Sequence, residues 1–149
     1  DIPKGLKQEL GLIYGTRDTH PGIFEVKIHN PKKKNALQFS RGLFAKVIND
    51  ANQNEKVKII LVYGSKDIFS AGNDLSIFLK GGFGDEESAE RGVTKGVYNF
   101  VSCITTSKKP TVFLVRGMAV GISCTMASNA DFIYATPSAK FQTPFMASF

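Results

Sequence analysis

The sequence predicts an α/β fold, and three observations carry that expectation. Short apolar strand patterns alternate with segments of helical periodicity along the whole chain. Two of the strands run into glycine-bearing turns that lead into apolar stretches, at 69–75 and 116–122. No low-complexity linker interrupts the 149 residues, so residues 1–149 are read as a single domain, long enough to bury its own core.

The elements follow in order. The first twenty residues are polar, with one short strand expected near 11–14. Residues 23–28 alternate as Ile-Phe-Glu-Val-Lys-Ile, the pattern of a strand. Asn30-Pro31 ends it, because proline lacks an N–H and restricts its neighbour. Ser40 suits an N-cap, and Leu43, Phe44, Val47, Ile48 and Ala51 then recur at helical spacing. Residues 59–63 are continuously apolar, as in a strand covered on both faces. An apolar run over 75–79 reads as the opening of a helix, broken by the glycines at 81, 82 and 84. Asp85, Glu86 and Glu87 suit the positive end of the next helix, which Val93, Val97, Phe100, Val101 and Ile104 continue to about Thr105. Strands are expected at 111–115 and 131–135, with a short buried helix at 122–128 between them.

Composition narrows the function classes. Apolar content is 42% and charged content 21%, the balance of an ordinary globular domain. No apolar run approaches the ~20 residues of a membrane span. The net charge is +6, concentrated at Lys32-Lys33-Lys34 and Lys108-Lys109. No nucleic-acid motif accompanies those lysines and no aromatics interleave with them, so a solvated loop or an anion site is expected instead. Cys103 and Cys124 lie in apolar contexts and read as buried thiols rather than a disulfide framework. No Cys/His cluster points to a metal. His20 and His29 read as turn or surface residues, GxSxG does not occur, and 117–121 makes neither a dinucleotide fingerprint nor a P-loop. A chain beginning at Asp1 is expected to be a trimmed or partial form.

The chemistry is expected at the two turns. A tight turn between a strand and a helix presents a backbone N–H, and two of them aimed at one point stabilise an oxyanion. Phe69-Ser70-Ala71-Gly72-Asn73-Asp74-Leu75 and Arg116-Gly117-Met118-Ala119-Val120-Gly121 are the two candidates. Asp74 is open to reading as a general base, but it and Asn73 are better placed to cap or orient the segment that follows.

FSAGNDL, the upstream NPKKKNAL and the downstream KKPTVFLVRGMAVGISCTMASNADFIYATPSAKFQTPF resemble the crotonase, or enoyl-CoA hydratase/isomerase, superfamily. Within it they are most similar to Δ3,Δ2-enoyl-CoA isomerases of the peroxisomal type. The resemblance implies a spiral of ββα turns, with the C-terminal helical trimerisation region missing. It implies the N–H groups of Ala71 and Ile122 as the oxyanion donors, and the backbone of Gly72, Asn73, Asp74 and Leu75 as acyl-CoA contacts. Lys34, Asn35 and Ala36 would lie in the loop passing the nucleotide end of coenzyme A. Thr125 stands where hydratases carry a glutamate, and the isomerase glutamate is expected just past Phe149. The implied activity shifts a 3-enoyl-CoA double bond to 2-trans, with coenzyme A thioester as substrate and no separate cofactor. The implied setting is the peroxisome or mitochondrial matrix, with a homotrimer or a larger assembly as partner. The alternative is a catalytically inactive CoA-binding or structural subunit.

Overall fold

The polar first residues fold as a hairpin, β1 (Leu6–Glu9) against β2 (Leu12–Thr16), in the computed structural model, which describes residues 2–37, 40–73 and 86–144. β3 (Ile23–Ile28) adds antiparallel to β2 at the expected place. A single 3-10 turn, Pro31–Lys33, leads toward α1 (Ser40–Gln53). β4 (Ile59–Gly64) then pairs parallel to β3, as α1 supplies the crossover. α2 (Glu86–Thr105) leads into β5 (Thr111–Val115), which pairs parallel to β4. β6 (Met118–Val120), α3 (Ile122–Ser128), β7 (Phe132–Ala135) and β8 (Lys140–Gln142) complete the described chain.

The strands form two sheets. The larger has the order β1-β2-β3-β4-β5-β7, and the smaller joins β6 to β8. The registers show successive turns stacking in parallel. Val62, Phe113 and Ile133 lie in one column of the large sheet. Ser70, Ala119 and Phe141 lie in one column of the other layer, where Ser70 makes an isolated parallel bridge to Ala119. Each turn therefore gives its first strand to one layer and its second to the other, the coiled arrangement that the resemblance implied.

One core holds the layers together. Val26, Ile28, Ile60, Val62 and Phe113 of the large sheet close on Phe44, Val47 and Ile48 of α1 and Phe100 and Ile104 of α2. Fully buried Phe44, Phe69, Phe100 and Phe113 each contribute roughly 1.5–3 kcal/mol relative to exposure. Phe44 meets Phe100 at a ring-centroid distance of 5.1 Å, which locks α1 to α2, and Phe69 meets Phe113 at 6.0 Å. The last turn is open: Ile133 and Phe141 are 42% and 46% exposed, whereas Phe113 and Ala119, their column partners one turn earlier, are 0% exposed.

Several expectations need correction. β4 is not covered on both faces, because Ile59 is exposed and Tyr63 half-buried. The turn expected at 116–121 contains strand β6, too short to show a period. β1 and β8 are also short, and all but Leu6 of their residues are exposed, so they carry no apolar alternation. Cys103 is buried, with its thiol pushed up to about 12 by desolvation, but Cys124 is only half-buried. The expected helix opening at 75–79, the glycine break after it, Phe145 and Phe149 lie outside the described residues.

Candidate active site

Three chain segments converge where the two turns meet. Buried Ser70 clips the first turn to β6: its N–H donates to the Met118 carbonyl at 3.0 Å, and its carbonyl accepts from the Val120 N–H at 3.0 Å. Gly72 then lies against the second turn with φ +81. A Cβ there would fall 2.3 Å from the Val120 carbonyl oxygen and 3.7 Å from the Ile122 nitrogen. The 2.3 Å approach and the positive φ exclude a side chain, and the two turns touch. The third segment is the lysine loop. Its Lys34 carbonyl accepts from the Ala71 N–H at 3.0 Å, and Leu37 donates its N–H to the Gly72 carbonyl at 2.9 Å.

Those bonds correct the first expected donor. The Ala71 N–H is engaged by the Lys34 carbonyl and is not free to hold a substrate oxygen. The next N–H, of Gly72, is taken by Ser70 Oγ at 3.1 Å. The Asn73 N–H has no acceptor among the described residues. Asn73 Oδ1 is buried and also without a partner among them, so it does not make the expected cap there. The signal for this shift was in the sequence: Ser70 is placed to satisfy an N–H two residues on, a common serine turn. Asp74 and Leu75, the remaining candidates on this turn, lie outside the described residues.

The second turn leaves its N–H open. Gly121 has φ +59 and donates its own N–H to the Gln142 carbonyl at 2.8 Å. Its carbonyl accepts the first bonds of α3, from Cys124 at 3.0 Å and Thr125 at 3.2 Å. No side chain caps α3, and the Ile122 N–H, in its first turn, finds no acceptor among the described residues. A Cβ built on Gly121 meets nothing within 4 Å, so there is open space beside that N–H.

The lysine loop is held by Asn35, which the resemblance placed in the loop without this anchoring role. Asn35 is 0% exposed, with left-handed φ +59 beside Lys34 at φ +49. Its Nδ2 donates to the carbonyls of Ser65, Ile68 and Phe69 at 3.1, 3.0 and 3.3 Å. Its Oδ1 accepts from the Asn30 N–H and the Ser65 hydroxyl, each at 2.9 Å. Asn35 thus fixes the backbone of Lys34 and Ala36 against the first turn, while the Lys34 side chain stays exposed.

The described carboxylates near the turns have other partners. Asp131 accepts from both the N–H and the hydroxyl of Thr111 at 2.8 Å, which holds its carboxyl below the usual range. Thr125 is exposed on α3 and carries a hydroxyl rather than a carboxylate. Across the sheet, Tyr63 donates to Glu25 at 2.7 Å, and burial and that contact push its phenol up to about 12. Among the described residues no three His, Cys, Asp or Glu side chains gather as a metal site, and no helix is long and apolar enough to cross a membrane.

Residues 18–148 match the family model for enoyl-CoA hydratase/isomerase. The chain belongs to that family. It is 36% identical over 127 residues to the rat (Rattus norvegicus) enoyl-CoA delta isomerase 2, covering 83% of this chain and 32% of the rat protein. It is 34% identical over 125 residues to the mouse (Mus musculus) peroxisomal enoyl-CoA delta isomerase 3, covering 83% of this chain and 39% of the mouse protein. A crystal structure of an enoyl-CoA hydratase/isomerase from Xanthobacter autotrophicus Py2 superposes with a TM-score of 0.84 at 25% identity, over 93% of this chain and 51% of that one. The fold is thus the α/β crotonase-like fold of the enoyl-CoA hydratase/isomerase family. The chain spans about a third of the length of these curated relatives and about half of that solved structure.

Proposed function

We propose that this chain binds a coenzyme A thioester and polarises its carbonyl between the N–H groups of Asn73 and Ile122, in an enoyl-CoA isomerase-like protein. The observation that carries the reading is the contact of two turns, each with one backbone N–H unclaimed among the described residues, beside open space at Gly121. Hydrogen bonds to the thioester oxygen strengthen as the α-proton leaves and an enolate forms; one such donor is worth about 3 kcal/mol in the transition state. Protonation at the γ-carbon then moves the double bond from the 3- to the 2-trans position. The lysine loop lies beside the same turn, which suits an anionic nucleotide. The delta isomerase names of the relatives favour this subtype, and Thr125 argues against hydration. One domain over 1–149, a trimer or larger assembly, and a peroxisomal or mitochondrial setting belong to the same proposal.

The test supplies 3-enoyl-CoA and, separately, 2-enoyl-CoA to a full-length protein that contains this chain and the isomerase glutamate expected past Phe149. Conversion of the first well above hydration of the second is expected. Comparable hydration would reject the isomerase subtype and leave the family untouched. A silent thioester-binding module is the second reading. It is favoured by the engaged carboxylates, Asp131 with Thr111 and Glu25 with Arg17 and Tyr63.

A further inference from the structure

Ser70 and Ser123 are both 0% exposed, and their polar atoms meet between the two turns. The Ser123 hydroxyl lies 3.0 Å from the Ser70 carbonyl and 2.8 Å from the Val120 carbonyl, either of which can take its proton. Its oxygen accepts from the Val120 N–H at 2.9 Å, a donor shared with the Ser70 carbonyl. On the other side, Ser70 Oγ donates to the Asn35 carbonyl at 2.8 Å and accepts from the Gly72 N–H. The bonds run unbroken from the lysine loop through Ser70 and Ser123 to the start of α3.

The Ser70 hydroxyl also removes a competing donor, and the Ser123 hydroxyl adds a second acceptor to one already bonded to the Ser70 carbonyl. Ser70 Oγ satisfies the Gly72 N–H, and Ser123 Oγ shares the Val120 N–H. The Gly72 N–H directly precedes that of Asn73, and the Val120 N–H lies two residues before that of Ile122, with the Gly121 N–H between them held by the Gln142 carbonyl; the Asn73 and Ile122 N–H groups have no acceptor among the described residues. Buried N–H groups without partners would otherwise turn toward whatever acceptor enters the space.

We propose that Ser70 and Ser123 are a pair of positioning residues that fix the spacing and aim of the Asn73 and Ile122 N–H groups, so that one thioester oxygen is held by both. The inference rests on the reading of those groups as thioester donors. Neither hydroxyl touches substrate; each acts through the backbone of its turn. Because the Ser123 hydroxyl bonds the main-chain carbonyl of Ser70, the two residues belong to one network and their effects are not additive.

Butanoyl-CoA, saturated and so unable to isomerise, tests this with its carbonyl isotope-labelled. Its infrared carbonyl band should move to lower frequency on binding the full wild-type chain. Ser70→Ala and Ser123→Ala, made separately, should each lose most of that displacement, and the double variant little more. Binding of coenzyme A without an acyl group should change less than about twofold, because the lysine loop keeps its Asn35 bonds. Two variants are used so that one poorly folded protein does not decide the outcome, and Ser123→Thr, which retains the hydroxyl, should keep the displacement. A full displacement in both alanine variants overturns the positioning role and leaves the thioester reading standing. No displacement in the wild type overturns both.

Discussion

The amide of Ala71 donates to the carbonyl of Lys34 at 3.0 Å, joining the catalytic-looking turn to the lysine loop. The side chain of Asn35 carries the load of that junction, with five hydrogen bonds from a fully buried amide. The two Nδ2 hydrogens are shared among three carbonyl oxygens, and Asn35→Ala would lose both of those bonds and the acceptor of the Asn30 N–H, at about 1 kcal/mol each. A loss of about 3 kcal/mol in unfolding free energy is therefore expected. A urea midpoint unchanged from wild type would show that those carbonyls find other partners. Asn35→Asp should do no better, since a carboxylate would face the same three oxygens.

Gly72 and Gly121 separate two costs that a glycine can hide. Both have positive φ, +81 and +59, so alanine at either is strained by about 1–2 kcal/mol. Gly72 alone also faces a collision, 2.3 Å from the Val120 oxygen. Gly72→Ala should thus force the turns apart, destabilising the fold more than Gly121→Ala and abolishing acyl-CoA binding. Thermal melts of the two variants rank the costs. Equal melting temperatures would mean that the second turn gives way freely.

Much of this was legible in the sequence. The alternation at 23–28, the apolar columns at 111–115 and the helical spacing from Leu43 to Ala51 report burial directly, and burial is what periodicity encodes. The contact of the two turns was also legible, since each lies between a strand and an apolar run. The identity of the open N–H was not. Ala71 and Asn73 look alike as backbone donors, and only the acceptors supplied by Lys34 and Ser70 distinguish them. The anchoring role of Asn35, placed by the resemblance only in the loop, was not legible for a related reason. An asparagine beside three lysines reads as loop surface, and nothing local announces three carbonyls from residues 65–69.

His29 gives the fold a pH dependence of known sign. Desolvation first, then Lys27 and Lys66, lower its proton affinity below the ordinary value of 6.5, and its Nδ1 is buried without a partner. The unfolded chain therefore binds the proton more readily than the folded one. Stability from this group is complete above 6.5 and is lost as pH falls from there through the lower folded value. Urea midpoints at neutral and mildly acidic pH should differ in that direction, and His29→Gln should flatten the difference. A wild-type stability that rises on acidification would contradict the assignment.

The isolated 149-residue chain is expected to bind a thioester without turning it over. Removal of the α-proton needs a base within hydrogen-bond reach of it or one water away. Most of the described carboxylates are spoken for, and Glu55 is exposed in the connection between α1 and β4. Asp131 is held by Thr111, and Glu25 by Arg17 and Tyr63. Glu9 accepts from Tyr14, Asp18 pairs with Lys4, and Asp50 pairs with Lys46. Asp67 stands 3.9 Å from Arg116 and is almost fully exposed. His29, deprotonated at neutral pH, is a poor substitute: its lowered affinity for protons makes it a weaker base still. The two open N–H groups can stabilise an enolate once it forms, but they cannot take the proton that makes it. Deuterium exchange at the α-carbon of butanoyl-CoA reads that step without requiring a double bond to move. No exchange above the solvent rate is expected from this chain, alongside measurable binding. Exchange at an enzymatic rate would place a competent base within these 149 residues, and variants at Asp67 and then Asp74 would be the first to locate it.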